Sequence, residues 1–420
     1  MEQSAPLITN DAVVLGLLMT ILAIIFVTSH SSNPVFKKFY RVVPALLLCY
    51  FVPSVFSTFG VISGEASNLY FVSSRYLLPT CLVLLCLSID LQGILRLGPK
   101  AIIMFFTGTI GIIIGGPLSL LIMSAINPDV VGGAGPDAIW RGMTTVAGSW
   151  IGGGANQTAM KEIFEVGDTV FSSMIAVDVI VANIWMACIL FMAGDPDKYD
   201  RILKADSSAI KELQTKMEDL QSKMAQIPTL TDLMLLLGVG FAVTAVGHLV
   251  ADVMGPWLQN HEHAATFQKL SITSKFFWLI MTATAIGLLL SFTKASKLEG
   301  VGASRVGSAM LYVLVASIGM KMDITAMKEA PGLFVVGLIW ISIHATLLIV
   351  VAKVIRAPLF FLAVGSQANV GGAASAPVVA SAFHPTLAPV GVLLAVFGYF
   401  VGTGGAWLCG LIMSAAAGDF

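Results

Sequence analysis

The chain has 420 residues, 57% of them hydrophobic and 11% charged, with a formal net charge of −1. An ordinary soluble domain carries roughly 25% charged residues, so this chain cannot cover itself with polar surface and needs lipid as its solvent. A soluble enzyme and a disordered chain are excluded, and the near-neutral charge gives no basic patch for a nucleic acid.

A spanning helix needs roughly 20 apolar residues. By that measure the sequence predicts about twelve segments, roughly 8–29, 42–62, 74–89, 99–126, 139–163, 168–194, 230–251, 275–292, 305–320, 331–353, 357–382 and 386–416. The runs are long and continuously apolar, unlike the short alternating strands of a barrel. The first run follows Glu2 with no Lys or Arg before it, so it is expected to be a retained helix and not a signal peptide. Cys49, Cys81, Cys86, Cys188 and Cys409 lie in apolar runs without metal-ligand spacing and are expected to be small buried residues.

Between the sixth and seventh segments lies a polar stretch, Asp195 to Thr229. Within it Ile210, Leu213, Met217, Leu220, Met224 and Ile227 recur as a heptad seam. Glu212–Lys216 and Asp219–Lys223 add pairs one helical turn apart; Ser207 or Ser208 caps the start and Pro228 ends it. This is either an amphipathic helix lying on the membrane surface or on the protein, or a short coiled coil between two protomers.

An internal repeat flanks that linker. Ser74-Arg75, then Asp90, then Gly98-Pro99 is matched by Ser304-Arg305, Asp323 and Ala330-Pro331. Farther on, Gly148-Ser149-Trp150-Ile151-Gly152-Gly153-Gly154-Ala155-Asn156-Gln157 is echoed by Gly365-Ser366-Gln367-Ala368-Asn369-Val370-Gly371-Gly372-Ala373-Ala374-Ser375. The chain therefore divides into a first transmembrane repeat over 1–194, a linker over 195–229 and a second repeat over 230–420.

Glycine runs weaken helix, and broken backbone at membrane depth persists only where it is buried in protein or lines a cavity. Two broken helices in matching positions point to a transporter's central site, where half-helix N-termini attract anions and freed carbonyls hold cations. The same stretches also fit small-residue helix interfaces with amides as interhelical glue. Asp178 stands about ten residues into its segment, near mid-membrane by the rise per residue. A carboxylate there carries a proton, ligates Na⁺ or pairs with a buried cation. Asn183 and Ser172 lie within two turns of it. His344 is either a satisfied core histidine or a proton relay. His261-Glu262-His263 lacks metalloprotease spacing and reads as a solvated loop. No catalytic pattern is present, so no enzyme, cofactor or nucleic-acid partner is expected.

With Asp90–Pro99, the glycine/amide break and Gly167-Asp168-Thr169-Val170-Phe171-Ser172-Ser173, the chain resembles the bile acid:sodium symporter superfamily. Across its length it is similar to the YjcL-like bacterial integral membrane proteins. The resemblance implies an all-α polytopic membrane protein with two inverted repeats, discontinuous crossing helices, and panel plus core domains. It implies that Asn156 and Gln157 match cation ligands at the first break, Ser172 a serine ligand on the next helix, and Asn369 the glutamine of the second break. The superfamily's glutamate, threonine and glutamine ligands fall on Gly365, Ala176 and Ile112, none of which is a ligand. Inversion needs an odd number of crossings before the second half, whereas six segments precede it.

The expectation is a secondary transporter of a small organic solute, coupled to Na⁺ or H⁺, in a bacterial cytoplasmic membrane. A passive channel and a non-transporting solute-binding protein are the alternatives. The leading helices of each half form the panel; segments three to six and nine to twelve form the core. Asn156, Gln157, Ser172, Asp178, Asn183, Ser366, Gln367, Asn369 and Ser375 are the candidate site residues. Na⁺ is expected among Asn156, Gln157, Ser172 and Asp178, and a homodimer through the scaffold helices and the linker helix.

Overall fold

The computed structural model describes residues 6–43, 45–205, 228–321, 331–384 and 387–419. The heptad seam at 210–227 and Asp323 lie outside them. Every regular element among the described residues is helical. In chain order these are α1 (Asp11–Ser29), α2 (Pro34–Val42), α3 (Ala45–Thr58), α4 (Leu69–Leu87), α5 (Leu91–Arg96), α6 (Pro99–Ile126), α7 (Ile139–Ile163) and α8 (Asp168–Ala193). They continue with α9 (Pro196–Leu203), α10 (Leu230–Gln259), α11 (Ala264–Lys269), α12 (Lys275–Ser291), α13 (Ala303–Gly319), α14 (Pro331–Val354), α15 (Leu359–Val370), α16 (Gly372–Phe383) and α17 (Ala388–Ala417). Seven of them, α1, α4, α6, α8, α10, α14 and α17, are long and apolar enough to cross a bilayer. Ile24, Ile110, Leu249 and Val350 are exposed on outward faces, as expected for surface that meets acyl chains. Cys188 joins them: it is exposed, while Cys49, Cys81, Cys86 and Cys409 are buried as expected.

The local chemistry sets the ends and bends of these helices. Asn10, Asn33 and Ser274 cap α1, α2 and α12 by accepting from a backbone N–H two residues on. Thr229 and Asp232 close a reciprocal capping box on α10. Within α4 a π-helical turn spans Ser73–Leu77, next to Pro79. Proline has no N–H to return to the Arg75 carbonyl; the His248 ring, at 2.9 Å through Nε2, takes that carbonyl instead.

The segment 139–163 does not cross. At Gly152 (φ −135°, ψ 16°) and Gly153 (φ 72°, ψ −177°) α7 leaves helical geometry, and the second of these favours a residue without a Cβ. The chain then folds back. A Cβ on Gly148 would stand 2.5 Å from the Asn156 carbonyl oxygen, although eight residues of straight helix are about 12 Å long. At the base, the Arg141 Nη1 donates to the Phe164 carbonyl at 2.5 Å, the Trp140 and Phe164 rings lie 6.0 Å apart, and the Gly167 N–H donates to the Pro136 carbonyl at 2.8 Å. α15 and α16 form a second hairpin, broken at Gly371 and Gly372 (φ 58°). Its base is closed by Phe360 against Phe383, with ring centroids 5.4 Å apart. The discontinuous helices expected to cross are therefore re-entrant hairpins. Their length equals a span, but each glycine pair supplies a reversal.

The 30-residue α17 is about 45 Å long and serves as a ruler. Its Gly391 packs on Ala376 of the second hairpin, Gly398 on the carbonyls of Ile151 and Ala368, Gly402 on Gly152, and Gly410 on the Phe164 ring. The two hairpins thus lie against opposite ends of α17 and meet at their tips, where a Cβ on Gly372 would be 3.9 Å from the Gly153 Cα. The tips align by their glycine pairs, Gly152-Gly153 with Gly371-Gly372, and not by Gly148-Ser149 with Gly365-Ser366. Consequently Asn156 follows its break and Asn369 precedes its own.

The helices pack in two groups. One holds α6, α7, α8, α14, α15, α16 and α17 around the hairpins; the other holds α1, α3, α4, α10, α12 and α13. The third and ninth segments, α4 and α13, go with the leading helices and not with the hairpins. Gly240 seats on Thr80 and Leu84, Gly287 on Val83, and Gly307 on the Cys81 carbonyl and Leu84, so small residues let α4 approach three neighbours closely.

A Cβ on Gly402 would lie 2.8 Å or nearer to Gly152 backbone atoms, whereas one on Gly238 meets nothing within 4 Å. Gly402→Ala is expected to lower the thermal midpoint in detergent by an amount corresponding to about 1–3 kcal/mol of overpacking. Gly238→Ala should leave it unchanged or raise it.

Candidate functional site

Asp178 sits in the middle of α8, 6% exposed, and both hairpin arms reach it. Its Oδ1 accepts from the Trp150 indole N–H at 2.7 Å and its Oδ2 from the Gln157 amide at 2.9 Å. Ser149 also bonds to it through its side chain. Trp150 lies before the break and Gln157 after it, so the carboxylate ties the two arms together. Gln157 uses its other end as acceptor: the Tyr50 hydroxyl of α3 donates to Oε1 at 3.2 Å. A line of hydrogen bonds therefore runs from the α3 group through the hairpin to Asp178.

Two asparagines hold the hairpins to their neighbours by the same geometry. Asn156 Nδ2 donates to the carbonyls of Gly152 and Tyr399, both at 2.9 Å, and its Oδ1 accepts from the Thr403 hydroxyl at 2.6 Å. Asn369 Nδ2 donates to the carbonyls of Gly365 at 2.9 Å and Phe105 at 3.0 Å, and its Oδ1 accepts from the Thr109 hydroxyl at 2.8 Å. In both cases the hydroxyl stands four residues after the carbonyl, one turn along the same helix. Each amide so satisfies its own hydrogens and a neighbouring helix's polar groups where no water competes.

Ser366 belongs to a third cluster. Its Oγ accepts from the Trp185 indole N–H at 2.8 Å and lies 2.8 Å from His344 Nε2; His344 Nδ1 is 3.0 Å from the Gly108 carbonyl. A carbonyl only accepts, so Nδ1 carries a proton, and the Ser366 hydroxyl partners Nε2, which leaves both ring nitrogens satisfied. Gln367 Oε1 accepts from Ser375 Oγ at 2.8 Å across the second break, and its Nε2 is buried with no hydrogen-bond partner among the described residues.

The structure thus brings Gln157 to Asp178, and Gln367 to Ser375. It sets Asn156, Asn369 and Ser366 in three other contacts. The Ser172 hydroxyl donates to the Asp168 carbonyl at 2.7 Å, six residues or about 9 Å along the axis from Asp178. Asn183 donates to the Val179 carbonyl at 2.7 Å. His261 and His263 lie in the loop between α10 and α11. Among the described residues no three His, Cys, Asp or Glu side chains form a metal-binding group. Tyr50, Trp150, Thr109 and Thr403 were not singled out by the sequence, because a lone hydroxyl or indole in an apolar helix resembles any other.

A cavity of about 500 Å³ lies between the two helix groups. The first group contributes Leu22 and Phe26 of α1, Leu85 of α4, and Ser304, Arg305, Ser308 and Tyr312 of α13; the hairpin group contributes Ala373 at the second tip and Val392, Val396 and Tyr399 of α17. It is apolar along its walls and reaches from the Arg305 end of α13 to the second hairpin tip.

Comparison with known proteins agrees with this architecture at the level of family. A family model described as "Protein of unknown function (DUF819)" matches residues 16–416, and the chain belongs to that family. It is 23% identical over 362 residues to the "Uncharacterized membrane protein YjcL" of Bacillus subtilis (strain 168), covering 83% of this chain and 84% of that protein.

Asp178→Asn replaces one acceptor by a donor facing Trp150 or Gln157, and is expected to cost about 1–3 kcal/mol of stability. Gln157→Leu strips both Tyr50 and Asp178 of a partner and should cost a similar amount. Because they share one bond, the double variant should cost less than the two together. Thermal unfolding of the three variants in detergent checks the cycle.

Proposed function

We propose that this member of the DUF819 family is a secondary active transporter that moves a small organic solute by alternating access, with Asp178 as the coupling group. The observation that carries the reading is the meeting of two re-entrant hairpins, tip to tip, beside a cavity between two helix groups. Broken backbone at membrane depth is stable only where buried in protein or facing a cavity; Gly372 is buried and its neighbour Ala373 lines the cavity. The group built on α1, α3, α4, α10, α12 and α13 is the panel; the hairpin group is the core that moves against it.

The hairpins also support an inverted repeat. With α7 re-entrant, and with the shorter apolar helices α3, α12 and α13 read as crossings beside the seven long ones, there are five crossings before the linker, α1, α3, α4, α6 and α8, and five after it, α10, α12, α13, α14 and α17. An odd number turns the second half over. On that count Lys37, Lys38, Arg96, Lys100, Lys294, Lys297, Lys353 and Arg356 fall on one face. By the positive-inside rule that face is cytosolic, and the cavity, entered beside Arg305, opens towards it.

Arg305 is exposed at the cavity mouth and the walls beyond are apolar, so the substrate is a small organic anion with an apolar body. The half-helices that begin at the tips, residues 154–163 and α16, point their N-terminal ends at mid-membrane and favour negative charge there. Asp178 lies on the far side of the first tip. Protonation makes one of its oxygens a donor and breaks its bond to Trp150 or Gln157, loosening one arm of the hairpin. A proton suits this donor-rich surround better than Na⁺, which needs oxygen ligands.

Reconstituted proteoliposomes test the reading. Screening small organic anions under an imposed H⁺ or Na⁺ gradient should find saturable accumulation driven by H⁺, and Asp178→Asn should abolish accumulation while leaving exchange. Conductance without saturation would mark a channel, binding without uptake a non-transporting protein, and Na⁺-driven uptake intact in Asp178→Asn would remove Asp178 from coupling.

A further inference from the structure

At the end of the molecule opposite the Arg305 cavity mouth, charged groups close the seam between the two helix groups. Arg75 Nη2 of α4 bonds to Glu162 Oε2, on the outgoing arm of the first hairpin, at 2.8 Å. The Tyr70 hydroxyl, also on α4, donates to the other oxygen of Glu162. Lys161 Nζ bonds to Asp168 Oδ1 at 2.5 Å, and to the Tyr70 hydroxyl at 3.3 Å. Lys321, just past α13, reaches Asp168 Oδ2 at 3.7 Å. The aromatic rings complete the packing: Lys161 and Lys321 each lie 4.7 Å from the Tyr70 ring centroid, and the Arg75 guanidinium lies 4.5 Å from that of Phe276.

Four of these contacts cross between groups: Arg75–Glu162, Tyr70–Glu162, Tyr70–Lys161 and Lys321–Asp168. Tyr70, Arg75, Phe276 and Lys321 belong to or adjoin α4, α12 and α13; Lys161, Glu162 and Asp168 belong to the first hairpin and α8. The seam is partly dry: Lys161 is 5% and Tyr70 8% exposed, and the Arg75 and Glu162 side chains are 29% and 14% exposed. Charge pairs with this burial are worth more than surface pairs and are costly to break singly.

The arrangement is one-sided. Arg75, within the second turn of α4, and Arg305, at the start of α13, stand in the helices that the sequence pairs between the two repeats. By the register of the glycine pairs, the second-hairpin positions that match Lys161 and Glu162 are Ala380 and Ser381. The second hairpin therefore offers Arg305 no carboxylate there, and Arg305 stands instead in an open cavity mouth.

We infer that Arg75, Tyr70, Lys161, Glu162, Asp168 and Lys321 form an ionic latch that fastens the panel to the first hairpin and holds the non-cytosolic side shut. This rests on the transporter reading above and adds to it a resting state. With a latch on one side and none matching on the other among the described residues, the free protein stays open to the cytosol. Opening the far side requires the Arg75–Glu162, Tyr70–Glu162, Tyr70–Lys161 and Asp168–Lys321 contacts to part, while Lys161–Asp168 stays within the hairpin group, and Arg75 and the lysines then line the new mouth.

The test uses the full chain with Cys188→Ser, which removes the exposed thiol, and Ala373→Cys as a reporter at the cavity's inner end. Membrane-impermeant maleimide is applied to inside-out and right-side-out vesicles. Without further change, labelling should come from the cytosolic face. Glu162→Gln and Arg75→Gln should each shift the ratio towards the opposite face by about tenfold, the order expected for one partly buried charge pair. The exchanged pair Arg75→Glu with Glu162→Arg should restore the original ratio, which a variant that only misfolds would not do. Cytosolic-face labelling at an equal rate in every variant would overturn the latch and leave the transporter reading in place. No labelling from either face would remove the cavity reading, and the latch with it.

Discussion

Everything in this molecule depends on how backbone polar groups are satisfied where there is no water. Lipid accepts no hydrogen bonds, so a chain that stops being helical at membrane depth must bring its own partners. The two hairpin tips are where this chain stops. Asn156 and Asn369 answer for each of them by the same device: one amide spanning its own arm and a neighbouring helix, with a threonine hydroxyl one turn on. Close approach is possible because glycines face each other at the contacts, Gly152 against Gly402 and Gly153 against Gly372. Side chains there would push apart the only groups available to each other.

From that constraint follows a division of labour. α6 and α17 run past the tips and serve as rails, to which the asparagines clamp. Asp178 is different, because it binds both arms of one hairpin and is the only carboxylate among the clamps. Its bonds to Trp150 and Gln157, and Gln157's bond to Tyr50, link the charge state of one group to the packing of the hairpin and to α3. In the proposed mechanism this is how an ion gradient acts on the core without an ion having to sit at the tips.

Much of this was legible in the sequence and some was not. The all-helical membrane class followed from composition, and the glycine pairs with their amides marked both breaks. The mid-segment position of Asp178 marked the buried carboxylate. Direction was not legible. A stretch of 25 residues is as long as a span whether it crosses or doubles back, and periodicity records burial but not heading. The physical trace of the error was present in the charges. Lys37, Lys38, Arg96 and Lys100 and the basic residues of the second half could not share a face while 139–163 counted as a crossing. Arg141, near one end of that segment, bonds to the Phe164 carbonyl just past the other end. The partners of the site residues were less visible still. Nothing local distinguishes Thr109 or Thr403 from other threonines that bond back to their own helix; only the fold puts an amide in front of them.

The central claim is that the two hairpins enter from opposite faces and meet at their tips. Cysteine accessibility at the hairpin bases tests it most directly, in a Cys188→Ser background with impermeant maleimide. Ala134→Cys and Glu165→Cys should both label from the non-cytosolic face, and Arg356→Cys and His384→Cys both from the cytosolic face. If Ala134→Cys and Glu165→Cys label from opposite faces, the first segment crosses and the account is contradicted.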